Sequence, residues 1–285
     1  SLTVALVPPV ARLSRHVLCS GAAYDYCVQS LGCTAEEAAK AERRLLPSIA
    51  ESLTQTQIDC VCDWLQPSLD LSDAELKKVV MRHPQVLGYS VEAMAPEFDW
   101  LQDRLELDAA QLKKMVLSNR RLLSFRNMAQ KLEWLQNYLD LDEGQLRKIV
   151  LRLPGVLGLH VEDNMAPTLE WIQTTLDISD QELKRMVLTL PHMLAYSVED
   201  NMAPKLDWLR SRFDLNETEL KQMIVTFPAL LCYSVEANIQ PKLGFFEEEL
   251  GLSPSEVCAS IVSAPARLGY SLKTRYRPRL EVCRA

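Results

Sequence analysis

Residues 171–208 of the chain read WIQTTLDISDQELKRMVLTLPHMLAYSVEDNMAPKLDW. The tryptophans that bound this stretch are 37 residues apart, and tryptophan recurs at nearly the same interval along most of the chain. The row consists of Trp64, Trp100, Trp134, Trp171 and Trp208, with Phe245 in the next position. A fixed period of this length is typical of stacked helical units, each of which buries its apolar face against its neighbours. The sequence therefore predicts an α-solenoid.

A proline recurs in step with the tryptophans, in the phrase Pro-x-x-Leu. Its positions are Pro84, Pro154, Pro191, Pro228 and Pro265. Arg120 takes this position in one repeat, which is also about three residues shorter than the others. Because two unrelated residue types keep one period over most of the chain, we infer a structural unit of about 37 residues.

Helix starts are marked by seven capping-box patterns, in which a Ser, Thr, Asp or Asn precedes a Glu or Gln by three residues. The pairs are Thr34/Glu37, Ser72/Glu75, Asp108/Gln111, Asp142/Gln145, Ser179/Glu182, Asn216/Glu219 and Ser253/Glu256. Each pattern predicts a helix that ends near the next proline, because proline disfavours a helical residue before it.

A second helix in each repeat is predicted to begin near another proline and to carry the tryptophan. These prolines are Pro96, Pro167, Pro204 and Pro241. The apolar stretch between the two helices, such as residues 191–197, suits a single 3₁₀ turn. We therefore expect an all-α chain of stacked helix–helix–3₁₀ repeats, without strands, in which the tryptophans pack in the core.

Composition argues against several classes of function. No apolar run approaches the ~18 residues of a membrane helix, so no membrane partner is expected. The eight cysteines include no CxxC, and the four histidines lie beside no cysteine or carboxylate at metal-ligand spacing, so we expect reduced thiols and no metal. Neither a Gly-rich phosphate loop nor a set of acid, base and nucleophile is present, which predicts no catalytic residues, no cofactor and no small-molecule substrate.

On a helical wheel, the capped helices place basic side chains in three recurring positions. An inner-edge row, beside the apolar stripe, contains Lys77, Lys113, Arg147, Lys184 and Lys221. A first outer row contains Lys78, Lys114, Lys148, Arg185 and Gln222. A second outer row contains Arg82, Ser118, Arg152, Thr189 and Thr226.

Two interpretations of these rows stay open. The inner-edge row could pair between helices with the acidic residues that precede the tryptophans, Asp99, Glu133, Glu170 and Asp207. The outer rows are either a solvated face or a track for a polyanion.

A further basic group lies at the C-terminus, where residues 267–285 hold six basic side chains and one acid, Glu281. Although the formal net charge is −7, salt screens charges beyond about 8 Å, so a local basic stripe can act on an acidic body.

Three phrases of the chain closely resemble repeats of the mTERF (mitochondrial transcription termination factor) family. They are ELKRMVLTLP at 182–191, YSVEDNMAPKLDWL at 196–209 and LGYSLKTRYRPRL at 268–280. The resemblance covers roughly residues 26–285. It implies a curved array of three-helix units with a basic path for double-stranded nucleic acid, and a role in organelle transcription, RNA processing or ribosome assembly. Only the basic positions of the repeat carry over from the family to this chain.

We expect residues 26–285 to form a single solenoid domain, with five clear repeats and a partial repeat at each end. Residues 1–25 contain Arg12 and Arg15 and no acid before Asp25, which is typical of an organelle transit segment or a linker. Together with the resemblance, this segment predicts a location in the mitochondrion or the plastid.

The leading hypothesis is a non-enzymatic protein that binds double-stranded DNA (or RNA) and regulates organelle transcription, by termination or a related step. The candidate binding residues are Lys78, Arg82, Lys114, Lys148, Arg152, Arg185, Lys273, Arg275, Arg277 and Arg279. They are expected to contact phosphates rather than to read bases. The alternative is a docking scaffold for organelle transcription or ribosome proteins, or an RNA or ribosome-assembly factor. The negative net charge favours docking.

Overall fold

The computed structural model describes residues 21–284. Within this range the chain consists of helices joined by short turns, and no strand is present, in agreement with the repeat pattern. The predicted transit or linker segment, residues 1–25, lies mostly outside the described residues, and from Ala22 onward it belongs to the first helix.

The described residues form two compact units. The first comprises residues 21–98 and Asp108–Ser124, and the second comprises Asp99–Leu107 and residues 125–284. That residues 26–285 form one solenoid domain stays a prediction.

Sixteen α-helices occur between residues 21 and 284. They are α1 (Ala22–Gln29), α2 (Ala35–Glu42), α3 (Pro47–Ser52), α4 (Gln55–Ser68), α5 (Asp73–Arg82), α6 (Val91–Arg104), α7 (Ala109–Ser118), α8 (Met128–Tyr138), α9 (Glu143–Arg152), α10 (Ala166–Leu176), α11 (Asp180–Thr189), α12 (Ala203–Phe213), α13 (Glu217–Thr226), α14 (Gln240–Gly244), α15 (Pro254–Ser263) and α16 (Arg277–Arg284). The tryptophans lie on α4, α6, α8, α10 and α12.

All seven predicted capping boxes are present, at the starts of α2, α5, α7, α9, α11, α13 and α15. In α5 the Glu75 N–H donates to the Ser72 hydroxyl, and the Ser72 N–H donates to the Glu75 carboxylate at 2.9 Å. Each box satisfies two N–H groups that have no partner inside the helix. The boxes thereby fix where each capped helix begins and which face its side chains present.

A 3₁₀ turn follows every capped helix from α5 onward, which confirms the predicted repeat. The turns are Pro84–Gly88, Arg120–Ser124, Pro154–Gly158, Pro191–Ala195, Pro228–Cys232 and Pro265–Gly269. Proline at the first position of such a turn needs no N–H and already has the required φ. Arg120 begins the same type of turn without a proline, so the turn does not depend on that residue.

The start of α6 was predicted wrongly. This helix begins at Val91, and Pro96 lies inside it. Two repeats later a π turn, Val161–Met165, leads into α10, where Pro167 stands at the start as expected. Because proline has no N–H to donate to the residue four positions earlier, wider π-type hydrogen bonds can accommodate it.

The residues that follow the tryptophans are fully buried. Leu65, Leu101, Leu135, Ile172 and Leu209 are each 0% exposed. The five tryptophans are only half-buried, so the expectation that they form the core is met in part. A large indole with an N–H donor is rarely buried completely, and it suits the boundary between core and solvent.

Five of the segments that follow the tryptophan helices turn on a residue in the left-handed conformation. These residues are Asp70, Glu106, Asp140, Asp177 and Asp214, with φ between 47° and 50°. Aspartate tolerates this conformation better than most side chains do. Each of these residues lies beyond the last residue of its helix, so its carbonyl is outside the helix hydrogen bonds and needs a donor from elsewhere.

Candidate nucleic-acid interface

The inner-edge row supplies that donor. Lys113, on α7, donates from Nζ to the carbonyl of Asp70, the left-handed residue after α4, at 2.6 Å. The same Nζ lies 2.8 Å from the carboxylate of Glu75 in the capping box of α5. A cation near a helix C-terminus is also favoured by the helix dipole. Lys113 thus joins α7 to two elements of the preceding repeat.

The same contact recurs along the row. The Nζ-to-carbonyl pairs are Lys77 with Gly32, Lys184 with Asp140 and Lys221 with Asp177. In α15 the position is taken by Cys258, whose Sγ lies 3.3 Å from the Phe213 carbonyl oxygen. These lysines therefore hold neighbouring repeats together, as the structural interpretation of the row expected, but through backbone carbonyls rather than through the acidic residues before the tryptophans.

The acidic partners differ from those considered in the sequence. The residues before the tryptophans, Asp99, Glu133, Glu170 and Asp207, are exposed. Within residues 21–284 no ion pair joins them to Lys77, Lys113, Lys184 or Lys221. Three of these lysines lie instead within 4.0 Å of capping-box carboxylates, Glu37, Glu75 and Glu182. Each box holds its glutamate in place, which leaves the carboxylate in reach of the next capped helix.

Replacement of Lys113 by methionine is expected to lower the melting temperature at neutral pH. It should also make the melting temperature less sensitive to a fall in pH. The hydrogen bond from Lys113, followed by those from the Ser72 N–H and hydroxyl, lowers the pKa of Glu75 from 4.5 to about 2. Because the folded-state pKa is depressed, this carboxylate stabilises the fold above pH 4.5 and loses that effect as the pH falls towards 2. Calorimetric melting of both proteins from neutral pH down to acidic pH measures the difference between their melting temperatures. We expect this difference to become smaller as the pH falls.

The neighbouring Lys114 provides the control for this experiment. It is exposed and lies on the same helix, so Lys114→Met should leave the melting temperature and its pH profile unchanged. A Lys113→Met protein as stable as wild type at pH 7 would contradict the structural role of the row.

The first outer row has a different environment. Lys78, Lys114 and Lys148 are exposed, and their side chains form no hydrogen bond or ion pair with any residue that the structure describes. Arg185 is also exposed. The pKa of Glu182 is lowered chiefly by the hydrogen bond from the Ser179 N–H, and Arg185 adds a small attraction. Lys78 and Lys114 belong to the first compact unit, and the other two belong to the second.

The two basic members of the second outer row differ from one another. Arg152 donates from Nη1 to the carbonyl of Leu188 at 3.0 Å, and also reaches Thr189 at 3.4 Å, so it caps the end of α11. Arg82 is exposed and lines a pocket together with Arg44, Arg120 and Arg121. Sequence reasoning placed none of these three partners in a site, although the pair Arg120–Arg121 in the proline position was a signal.

Part of the C-terminal cluster is engaged within the fold. Arg275 lies over the Tyr270 ring, 3.5 Å from its centroid. Arg277 forms a 2.9 Å ion pair with Glu249. Lys273 and Arg279 are exposed, and neither side chain forms a hydrogen bond or ion pair within the described part of the chain. All four residues remain candidates for phosphate contact, but only Lys273 and Arg279 could make one without giving up an existing partner.

A further set of basic residues that the sequence did not single out is structural. Lys205 is 5% exposed and donates to the carbonyl of Leu231 in the next 3₁₀ turn. Lys242 makes the same contact with Leu268 one repeat later, and Lys131 makes it with Leu157 at 3.0 Å. Lys205 and Lys242 are 37 residues apart, and Lys131 lies two such periods before Lys205, so the recurrence of lysine at the repeat period was the available signal.

The described residues contain no group of three or more His, Cys, Asp or Glu side chains that could hold a metal ion. Between residues 21 and 284, no helix is long and apolar enough to cross a membrane. The cysteines in this range are unpaired, and several are buried. For example, burial raises the pKa of the Cys62 thiol to about 11, which makes it a poor nucleophile.

Most of the residues that match a known protein family belong to the second compact unit. A family model described as mTERF matches residues 105–284, which is more than half of the chain. The matched segment includes Lys114, Lys148 and Arg185 of the first outer row and the basic residues up to Arg284. Lys78, at the equivalent position of the preceding repeat, lies before the matched segment. No curated protein matches the chain.

Proposed function

The chain belongs to the mTERF family, and from this premise we propose that it binds double-stranded nucleic acid and regulates organelle transcription. Membership itself suggests a nucleic-acid-associated role in organelle gene expression. Our proposal adds the ligand, the contact residues and the regulatory outcome, which is termination or a related step. It also includes a location in the mitochondrion or plastid and a function without catalysis.

The observation that carries the proposal is the contrast between two adjacent positions of the repeat. At the inner-edge position, lysines are committed to carbonyls of the preceding repeat. One residue later, at Lys78, Lys114, Lys148 and Arg185, the cations are exposed, and three of them make no contact of this kind within the described chain. A fold that needed these charges for its own stability would pair them. We infer that their partner is an external polyanion.

Phosphate contacts are the expected mode of binding. Neutralising each phosphate releases condensed counterions, which provides affinity without sequence information. The net charge of −7 does not oppose this, because fields are screened over about 8 Å at physiological salt. Lys273 and Arg279 are exposed and would add contacts, whereas Arg152, Arg275 and Arg277 would have to give up or share an existing partner to do so.

A second candidate function, docking of a basic protein, is favoured by one observation. The acidic positions Asp99, Glu133, Glu170 and Asp207 are all exposed, and they recur with the same period as the cations. A basic partner could lie along this row. The net negative charge of the chain would then promote the encounter.

Binding to a mixed-sequence DNA duplex and to an RNA hairpin, at about 50 mM salt, tests the proposal. We expect the protein to bind the duplex, with affinity that falls steeply as salt is raised to about 200 mM. Preference for the hairpin would move the proposal to RNA. Absence of binding to either ligand at the lower salt concentration would refute it and leave protein docking as the function to pursue.

A further inference from the structure

A strongly basic pocket lies in the first compact unit, near the end of α5 and the turn after α7. It has a volume of about 600 Å³ and is lined by the side chains of Arg44, Arg82, Arg120 and Arg121, together with His83. The remaining lining residues are uncharged, and no carboxylate lines the pocket. Four arginines around one opening without an acid are unusual in a chain whose net charge is −7. The pocket therefore has the lining of an anion site.

The irregular repeat contributes two of the four arginines of this pocket, Arg120 and Arg121. Arg120 stands where the other repeats have proline, at the first residue of the 3₁₀ turn. The backbone is nonetheless regular, because Asn119 has φ −134° and ψ 87°, close to the −140° and 69° of His83 before Pro84. A cation has thus been placed at this position without a change in backbone conformation. The shape of the turn does not require an arginine, so its side chain needs another explanation.

The cations of the pocket influence one another. The pKa of Arg120 is lowered, first by burial and then by the charge of Arg82. The pKa of His83 is lowered as well, first by burial and then by Arg121 and Arg120. Repulsion between like charges destabilises the charged form of each of these side chains. An anion in the pocket would relieve this repulsion.

Most of the hydrogen-bonding capacity of the arginines is unused within the described residues. Arg120 donates once, to the Leu117 carbonyl at 3.1 Å, and Arg44 donates once, to the Met81 carbonyl at 3.4 Å. The side chains of Arg82 and Arg121 make no hydrogen bond there. Each guanidinium carries five N–H donors in a planar fork that matches phosphate oxygens. Several donors therefore remain for a ligand.

We propose that this pocket binds a phosphate group, whose oxygens accept hydrogen bonds from Arg82, Arg120 and Arg121, with Arg44 at its edge. Arginine favours phosphate over a spherical anion because two of its N–H groups can contact two oxygens at once. The phosphate belongs either to a small phosphorylated ion or to a nucleic-acid strand. The site does not depend on the proposed function, since a small ion can occupy it whether or not the protein binds a duplex.

Arg120→Pro is the most informative variant. It restores the residue found in the other repeats, and the conformation of Asn119 already suits a following proline. We expect a melting temperature at or above that of the wild type, because proline restricts the unfolded chain. The pocket loses one of its four arginines, and we expect at least about tenfold weaker binding of pyrophosphate. Calorimetric titration with pyrophosphate at low salt, beside chloride as a reference, measures the loss.

A second pair of variants distinguishes the contribution of the pocket to binding from the effect of overall charge. Arg82→Gln with Arg121→Gln removes two exposed cations of the site, and Lys40→Gln with Arg43→Gln removes two exposed cations outside it. We expect only the first pair to weaken binding. The same proteins are then titrated with duplex DNA.

Each outcome bears on the site. Pyrophosphate binding that is lost in Arg120→Pro establishes a site for small phosphorylated ions, even if the duplex does not bind. Duplex binding that is weakened at least tenfold in Arg120→Pro, without binding of pyrophosphate, assigns the phosphate to a nucleic-acid strand. Failure of both ligands, or equal binding by the wild type and all variants, overturns the proposal.

Discussion

Replacement of Lys78, Lys114, Lys148 and Arg185 by glutamine is expected to weaken duplex binding by roughly three to four orders of magnitude near 0.1 M salt. Each phosphate contact contributes a factor of roughly eight at that salt concentration, because it releases close to one counterion. The fold should be unaffected, since all four side chains are exposed. A filter-binding or anisotropy titration with a DNA duplex measures the change, and a thermal melt verifies that the variant is folded.

An acidic quadruple variant is the matched control. Asp99→Asn, Glu133→Gln, Glu170→Gln and Asp207→Asn change the net charge by the same amount in the opposite direction, also at exposed positions of the repeat. If the outer row acts locally, this variant should gain much less affinity than the basic variant loses. Equal and opposite changes would show that net charge, rather than the row, governs binding.

Replacement of Leu209 by alanine is expected to destabilise the second compact unit by about 2–5 kcal/mol. This side chain is 0% exposed, although its neighbour Trp208 is only half-buried. Truncation removes apolar contacts and leaves a cavity that the surrounding helices fill only in part. Chemical denaturation followed by circular dichroism measures the loss.

The control is Asp207→Ala, on the same helix. Asp207 is exposed, and its one ion pair, with Arg210 at 3.9 Å, is a surface contact of little energetic value. We expect its free energy of unfolding to stay within about 0.5 kcal/mol of the wild type. If the two alanine variants were equally stable, the buried row would not be the core of the repeat.

The regular parts of the fold follow from local chemistry, and so they could be predicted. A capping box involves residues three positions apart, and all seven are present. The proline that starts a 3₁₀ turn acts through its own ring and the residue before it. The start of α6 was missed because accommodation of Pro96 depends on hydrogen bonds over the whole preceding turn.

Contacts between repeats were harder to predict. The acceptor of Lys113 is a backbone carbonyl 43 residues away, and carbonyls leave no mark in the sequence. Charge patterns pointed to Asp99 and its equivalents, because side-chain charges are the only partners that a sequence displays. The basic pocket was overlooked for a similar reason, since Arg44 and Arg120 come together only when the repeats stack.

The decisive comparison is the salt dependence of duplex binding by the wild type and by the outer-row variant. We expect a log–log slope near −4 for the wild type, which corresponds to four or five neutralised phosphates. Removal of Lys78, Lys114, Lys148 and Arg185 should flatten this slope by roughly 3 to 4. If the variant and the wild type showed the same slope, the exposed outer row would not be the surface that contacts phosphate.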